Sequence, residues 1–202
     1  MTLPALKNRK LILASGSPRR AELLRAAGFE PAILPSNVDE ALVPGESAVA
    51  HVERLARAKA AAVVARLPGQ AHVLVLGADT VVVVDDQILG KPQSREDARR
   101  MLRLLSGREH EVVTALALDV LPSGRETVRH TSTRVTFLKL SDAEIEGYLD
   151  SGEPFDKAGA YALQGRAACF VSRIEGSYSN VVGLPISLLY EMLRESAGPA
   201  GQ

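Results

Sequence analysis

The chain has 202 residues, of which 46% are apolar and 24% charged, and its 24 basic residues balance its 24 acidic ones. That length suits one ordinary domain, with or without a lobe, and the composition excludes a disordered or collagenous chain. The cancelled charge leaves no global field to draw in nucleic acid or an anionic membrane, and the single cysteine, Cys169, excludes disulfide scaffolds and cysteine-built zinc fingers. Apolar stretches stay well short of the ~20 residues that span a bilayer, and the N-terminal run is shorter than the roughly 7–15 residues of a secretory signal core. A reducing, cytoplasmic setting is therefore expected, with Cys169 a buried structural thiol.

In chain order, Lys10–Ala14 is predicted as a buried strand that runs into the turn Ser15-Gly16-Ser17. Pro18 suits the first position of a helix and Ser17 its cap; Ala21, Leu23, Leu24 and Ala27 form its apolar stripe, and Gly28 stops it. With Arg19 and Arg20, this turn has two readings. It is a phosphate-binding helix start, or a capped helix with exposed arginines. A short strand at Ala32–Leu34 and a loop from Pro35 to Glu46, carrying Asp39-Glu40, lead to a helix over Ser47–Leu67. Lys59 shares the apolar face of Val52, Leu55, Ala56 and Val63, and either snorkels past the core edge or points into a cleft.

The segments His72–Leu76 and Thr80–Val84 are predicted as one long strand, or two, buried on both faces. Asp79 interrupts this run. An ionised carboxylate there calls for a metal, a cation or several N–H donors, with Gly77 and Ala78 leaving room for a ligand; the alternative is a bulge whose aspartate bonds a nearby turn. Asp39-Glu40 is either a solvated pair or the complement of Asp79 in a hard-metal site.

Asp85-Asp86-Gln87 is read as a hairpin turn returning through Ile88-Leu89, just ahead of Lys91. Ser94 to Asp97 opens a helix that stops at Ser106-Gly107, strands cover Val112–Leu121 and Thr127–Leu138, and the capping box Ser141-x-x-Glu144 starts a helix ending at Ser151-Gly152. The polar, glycine-rich stretch Glu153–Gly165 is a long loop of the kind that carries function. A strand at Ala168–Ile174 and a helix at Ile186–Leu193 follow. The pattern predicts an α/β fold with a mixed sheet flanked by helices, one domain over residues 1–202, with residues 1–9 as an extension and 196–202 as a flexible tail. His51, His72, His110 and His130 have no ligand spacing.

Five segments, LILASGSPRRAELL, GADTVVV, LGKP, DKAGAYALQG and GSYSNVVGLP, together resemble the Maf family of nucleoside triphosphate pyrophosphatases over nearly the whole chain. The resemblance implies two lobes around a nucleotide-binding cleft, a divalent cation (Mg²⁺ or Mn²⁺), and hydrolysis between the α and β phosphates. By position Asp79 is then the proton acceptor, Glu40 and Asp79 the metal-side carboxylates, and Ser15, Arg20, Lys59, Lys91 and Lys157 the phosphate-side groups. Arg19, Thr80 and Gln164 match the branch that prefers dTTP and UTP. The family also implies a homodimer and a link to arrest of cell division. Two alternatives stand beside this one: a pyrophosphatase for 7-methyl-GTP or a broad set of noncanonical nucleotides, and a non-catalytic nucleotide-binding regulator.

Overall fold

A computed structural model describes Leu6 and residues 8–196 of the chain. The apolar run near the N-terminus forms β1 (Lys10–Leu13), which is parallel to both β2 (Ala32–Ile33) and β3 (Val73–Val84). Its pairing sets Leu11 opposite Leu74 and Leu13 opposite Leu76, so the leucines of both strands share one face. Between these strands lie α1 (Pro18–Ala26) and α2 (Ala48–Val64). Both helices start where the sequence indicates: Pro18 follows Ser17, which holds the cap position without a side-chain cap bond, and the Ser47 hydroxyl accepts the Ala50 N–H.

A tight hairpin then returns β3 antiparallel through β4 (Gln87–Leu89). Gln87 pairs with Val84 and belongs to the strand, not to the turn as expected from sequence; only Asp85 and Asp86 make the turn, both with positive φ. The chain continues through α3 (Arg95–Leu105), β5 (Glu109–Leu121), β6 (Arg125–Phe137), α4 (Asp142–Leu149), β7 (Val171–Glu175), α5 (Tyr178–Val182) and α6 (Ile186–Ser196). Seven strands form one mixed sheet in the order β2-β1-β3-β5-β6-β7, with β4 on β3, in agreement with the expected fold class.

The chain, read from sequence as one domain, divides into two compact units. The first contains the described residues up to Asp79, Thr114–Thr131, and those from Gly183 on; the second contains Thr80–Val113 and Ser132–Val182. Each has its own core. Leu13, Leu24, Leu74, Leu76, Leu116 and Leu189 pack together in the first, and Leu102, Leu105, Phe137, Ile145, Tyr148 and Phe170 in the second.

Several expectations need correction. Cys169 is exposed, because Arg166–Phe170 forms a 3-10 turn and turns the thiol outward, and only from Val171 does the chain extend as a strand. The Glu153–Gly165 loop contains further 3-10 turns at Glu153–Asp156 and Ala158–Ala160. Helix α6 runs three residues past the expected Leu193, so Ser196 is helical; most of the extension and tail assigned to 1–9 and 196–202 lies outside the described residues. Helix α5, one short turn and a half, has no counterpart among the expected elements.

Candidate active site

In the first unit β3 continues unbroken through Asp79, which is buried. The carboxylate has a cation: Lys59 Nζ lies 2.6 Å from Asp79 Oδ1 and 2.5 Å from Glu40 Oε1. Lys59 is itself buried, so of its two sequence readings the inward one holds. One ammonium joined to two carboxylates meets the requirement that a buried charge be paired.

The close seat of α2 on β3 makes this contact reachable. A Cβ at Gly77 would collide with the Ala56 carbonyl oxygen and come within 2.9 Å of the Ala60 nitrogen, both on α2. The space expected at Gly77 and Ala78 for a ligand is therefore occupied, since α2 fills the one and Ala78 packs in the core of this unit. Glycine at 77 lets the helix backbone approach the strand, with Lys59 and Asp79 beside the contact.

The turn after β1 resolves differently for its two arginines. Arg20 is buried: its Nε donates to the Gly183 carbonyl at 2.8 Å and its Nη1 to Ser15 Oγ at 3.1 Å. Ser15 Oγ also accepts the Ser17 N–H, 3.2 Å away. Burial lowers the Arg20 pKa, opposed by the charges of Asp79 and Glu40, which places this guanidinium within the field of both carboxylates. Arg19 is half-buried. Ser15, Arg20, Lys59, Glu40 and Asp79 thus belong to one polar cluster.

Asp39 closes a local turn, its Oδ1 accepting the Ala41 N–H at 2.9 Å. Sequence reasoning missed what anchors this loop to α2: Arg54 clasps Glu46 through Nε at 2.7 Å and Nη2 at 2.8 Å, and His51 Nδ1 adds a contact of 3.0 Å. The spacing Glu46, His51, Arg54 across a helix start was the available signal.

The second unit holds Thr80, Lys91, Lys157 and Gln164. Its two lysine motifs are joined through backbone: the Gly159 N–H donates to the Gly90 carbonyl at 3.1 Å, and Gly159, at φ 67°, packs where a Cβ would meet Val82 at 2.8 Å. Lys91 is exposed, and Lys157 Nζ donates to the Glu153 carbonyl at 2.7 Å and pairs with Asp156. Exposed Gln164 sits on a loop fixed from three sides. Glu153 accepts the Arg166 N–H at 3.0 Å, Tyr148 Oη accepts the Ala162 N–H at 3.2 Å, and Tyr161 Oη meets His110 Nε2 at 2.9 Å. His110 is buried, edge-on to Phe137 and Tyr161, and burial lowers its pKa from 6.5 to about 4.

Two carboxylates meeting on one ammonium supply the hard oxygen donors that Mg²⁺ or Mn²⁺ takes alongside phosphate oxygens, so Glu40 and Asp79 fit such an ion. Among the described residues no group of three or more His, Cys, Asp or Glu side chains forms a cage for an ion by itself.

The fold and this cluster place the protein among α/β proteins with a mixed sheet and a charged site at its strands. A family model for Maf-like proteins matches residues 10–196, and the chain belongs to that family. It is 50% identical over 187 residues to the dTTP/UTP pyrophosphatase of Hahella chejuensis, covering 93% of this chain and 92% of the relative. It is 52% identical over 184 residues to the protein of that name from Moorella thermoacetica, covering 91% and 93%. The solved structure of the Staphylococcus aureus Ham1 protein shares the fold, with a TM-score of 0.54 at 15% identity over 93% of this chain and 99% of that one.

Proposed function

We propose that the chain is a nucleoside triphosphate pyrophosphatase that hydrolyses dTTP and UTP to the monophosphate and diphosphate. The observation that carries this reading is the Asp79–Lys59–Glu40 cluster, with Asp79 and Lys59 buried and Arg20 beside it, in a chain half identical to dTTP/UTP pyrophosphatases. In this scheme water attacks the α-phosphorus, its proton passes to Asp79, and the bond from that phosphorus to the α–β bridging oxygen breaks. Its electron pair leaves with the diphosphate. Lys59 and Arg20 offset the charge that develops on the leaving group, and Lys91 and Lys157 are assigned to the phosphates by their motif positions. Ser15 orients a phosphate oxygen through the hydroxyl it already offers to Arg20 and Ser17.

A divalent cation held by Glu40 and Asp79 would, when bound, polarise the phosphate oxygens. Lys59 has a second role in this reading, because it holds the two carboxylates together when no such cation is present. Arg19, Thr80 and Gln164 are assigned to recognition of the pyrimidine nucleotide. Gln164 is supported by its place on a loop fixed by Glu153, Tyr148 and Tyr161, since a donor–acceptor edge discriminates between bases only if it is held still. No helix among the described residues is long and apolar enough to cross a membrane. A cytoplasmic setting belongs to the proposal, supported by the exposed Cys169 thiol, which a reducing compartment preserves. So does a homodimer, carried over from the family and checked by light scattering.

The test is diphosphate release from dTTP, UTP, CTP, dATP, GTP and 7-methyl-GTP with Mg²⁺ or Mn²⁺, using wild type and Asp79→Asn. Release is expected from dTTP and UTP and falls about 10³-fold in the variant, the scale of a lost general base. Release from 7-methyl-GTP alone would overturn the substrate assignment. Tight nucleotide binding with no release would favour a regulator.

A further inference from the structure

The loop that carries Glu40 lacks regular structure from Leu34 to Ser47, and the Glu40 side chain is 42% exposed, yet its carboxylate rests on Lys59 Nζ. A free loop would not keep it there. The residue after Glu40 is held through both its backbone groups: the Ala41 N–H donates to Asp39 Oδ1 at 2.9 Å, and the Ala41 carbonyl accepts from Arg54 Nη2 at 3.1 Å. The same guanidinium forks onto Glu46, at the other end of the loop, and the Glu46 side chain is only 9% exposed. One α2 side chain therefore ties both ends of the segment Ala41–Glu46 to the helix that also bears Lys59.

We propose that Arg54 is a positioning residue that, through the Ala41 carbonyl and Glu46, holds Glu40 beside Asp79 for the divalent cation. The proposal rests on the assignment of Glu40 to the metal side of the site. Arg54 touches no reacting atom. His51 completes the clasp by its contact with Glu46, and the Arg54 fork keeps the Glu46 pKa at about 2, well below the usual carboxylate range, so the clasp stays ionised at any assay pH of interest.

The experiment compares wild type, Arg54→Met, Glu40→Gln and the double variant, with Mg²⁺ titrated into dTTP hydrolysis and hydrogen exchange of residues 39–46 followed without metal or nucleotide. Arg54→Met is expected to raise half-saturating Mg²⁺ about tenfold, within the range found when an outer partner of a metal ligand is lost. The rate at saturating Mg²⁺ should stay within about threefold of wild type, the mark of an effect on binding and not on the chemical step. Exchange in 39–46 should quicken while the interior of α2 stays protected. In the Glu40→Gln background the Arg54→Met effect on Mg²⁺ should shrink toward nothing, because the residue it positions is already lost.

Unchanged metal dependence in Arg54→Met, or an effect of full size in the Glu40→Gln background, overturns the positioning role alone. A Glu40→Gln enzyme with wild-type metal dependence removes the metal role of Glu40 and this proposal with it, a result visible before Arg54 is touched. If Arg54→Met does not fold, Glu46→Gln serves in its place: it weakens the fork while sparing the Ala41 bond, and the same rise in half-saturating Mg²⁺ is expected at smaller size. Wild-type metal dependence in that variant counts against the clasp.

Discussion

The two compact units hold their candidate residues in different ways. In the first, the charged side chains hold one another: Lys59 joins Asp79 to Glu40, and Arg20 bonds Ser15. In the second, the corresponding residues are carried on a bonded backbone, with Lys157 on the Glu153 carbonyl and the Gln164 loop pinned by Glu153 and two tyrosines. Stability and chemistry are therefore coupled in the first unit and separable in the second. Lys59→Met tests this most severely. It leaves the buried Asp79 carboxylate without its ammonium, and breaking a buried pair from one side costs about 3–5 kcal/mol. A large fall in Tm should accompany a loss of activity, whereas Lys157→Met, whose cation pairs nearer solvent, should lose activity with a stability change under about 1 kcal/mol. Equal Tm losses would erase the contrast.

The next test concerns the seat of α2. Gly77→Ala places a methyl against the Ala56 carbonyl, and forced overpacking of this kind costs typically about 1–3 kcal/mol. Because Lys59 lies on the displaced helix, activity should fall further than stability does. A Gly77→Ala enzyme with full activity and wild-type Tm would show that the approach of helix to strand does not set the Lys59–Asp79 distance.

In the second unit one buried titratable group, His110, stands behind the Gln164 loop through Tyr161. Its pKa is depressed from 6.5 to about 4 by burial, so the folded protein resists taking up a proton that the unfolded chain accepts. Above pH 6.5 His110 is neutral in both states and stability is fully present. As pH falls from 6.5 toward 4 only the unfolded chain is protonated, and stability is lost by an amount on the order of 3 kcal/mol, complete once the folded form also titrates. Thermal melts from pH 7 to 4 should slope less in His110→Gln than in wild type. Parallel slopes would mean that His110 is not protonation-resistant in the folded protein.

Much of this was legible in the sequence, for physical reasons that differ by element. The β1 and β3 runs, the Ser47 and Ser141 caps and the mixed sheet follow from patterns that local chemistry enforces. The demand of Asp79 for a partner followed from the cost of burying a charge, but which cation would answer it depended on how α2 crosses β3, a tertiary fact signalled only by Gly77. Cys169 was misjudged because Ala-Ala-Cys-Phe has the composition of a buried strand, while its conformation, a 3-10 turn, is set by packing of Ala167 and Phe170 below it. The Arg54–Glu46 fork spans a loop and a helix, so its one signal was the spacing of Glu46, His51 and Arg54 across the helix start and not a periodicity.

The smallest expected effect lies at Gln164, and it bears most directly on substrate. Its backbone is held by groups that never need to touch a nucleotide, since the Glu153 carboxylate fills the space beside Gly165 and takes the Arg166 N–H. Gln164→Ala should therefore leave stability within about 0.5 kcal/mol of wild type, as for an exposed residue outside any packing role. What it should change is the ratio of kcat/KM for dTTP over CTP, lowered about tenfold, the equivalent of one hydrogen bond of roughly 1.4 kcal/mol that the correct base makes and the wrong one does not. A variant at Glu153 separates holding from reading: Glu153→Ala removes the acceptor of the Arg166 N–H and releases the loop with Gln164 still present, and should lower kcat/KM for both nucleotides with a smaller change in their ratio. If Gln164→Ala keeps the full dTTP preference, base recognition rests with Arg19 and Thr80, and the loop's rigidity serves Lys157 alone.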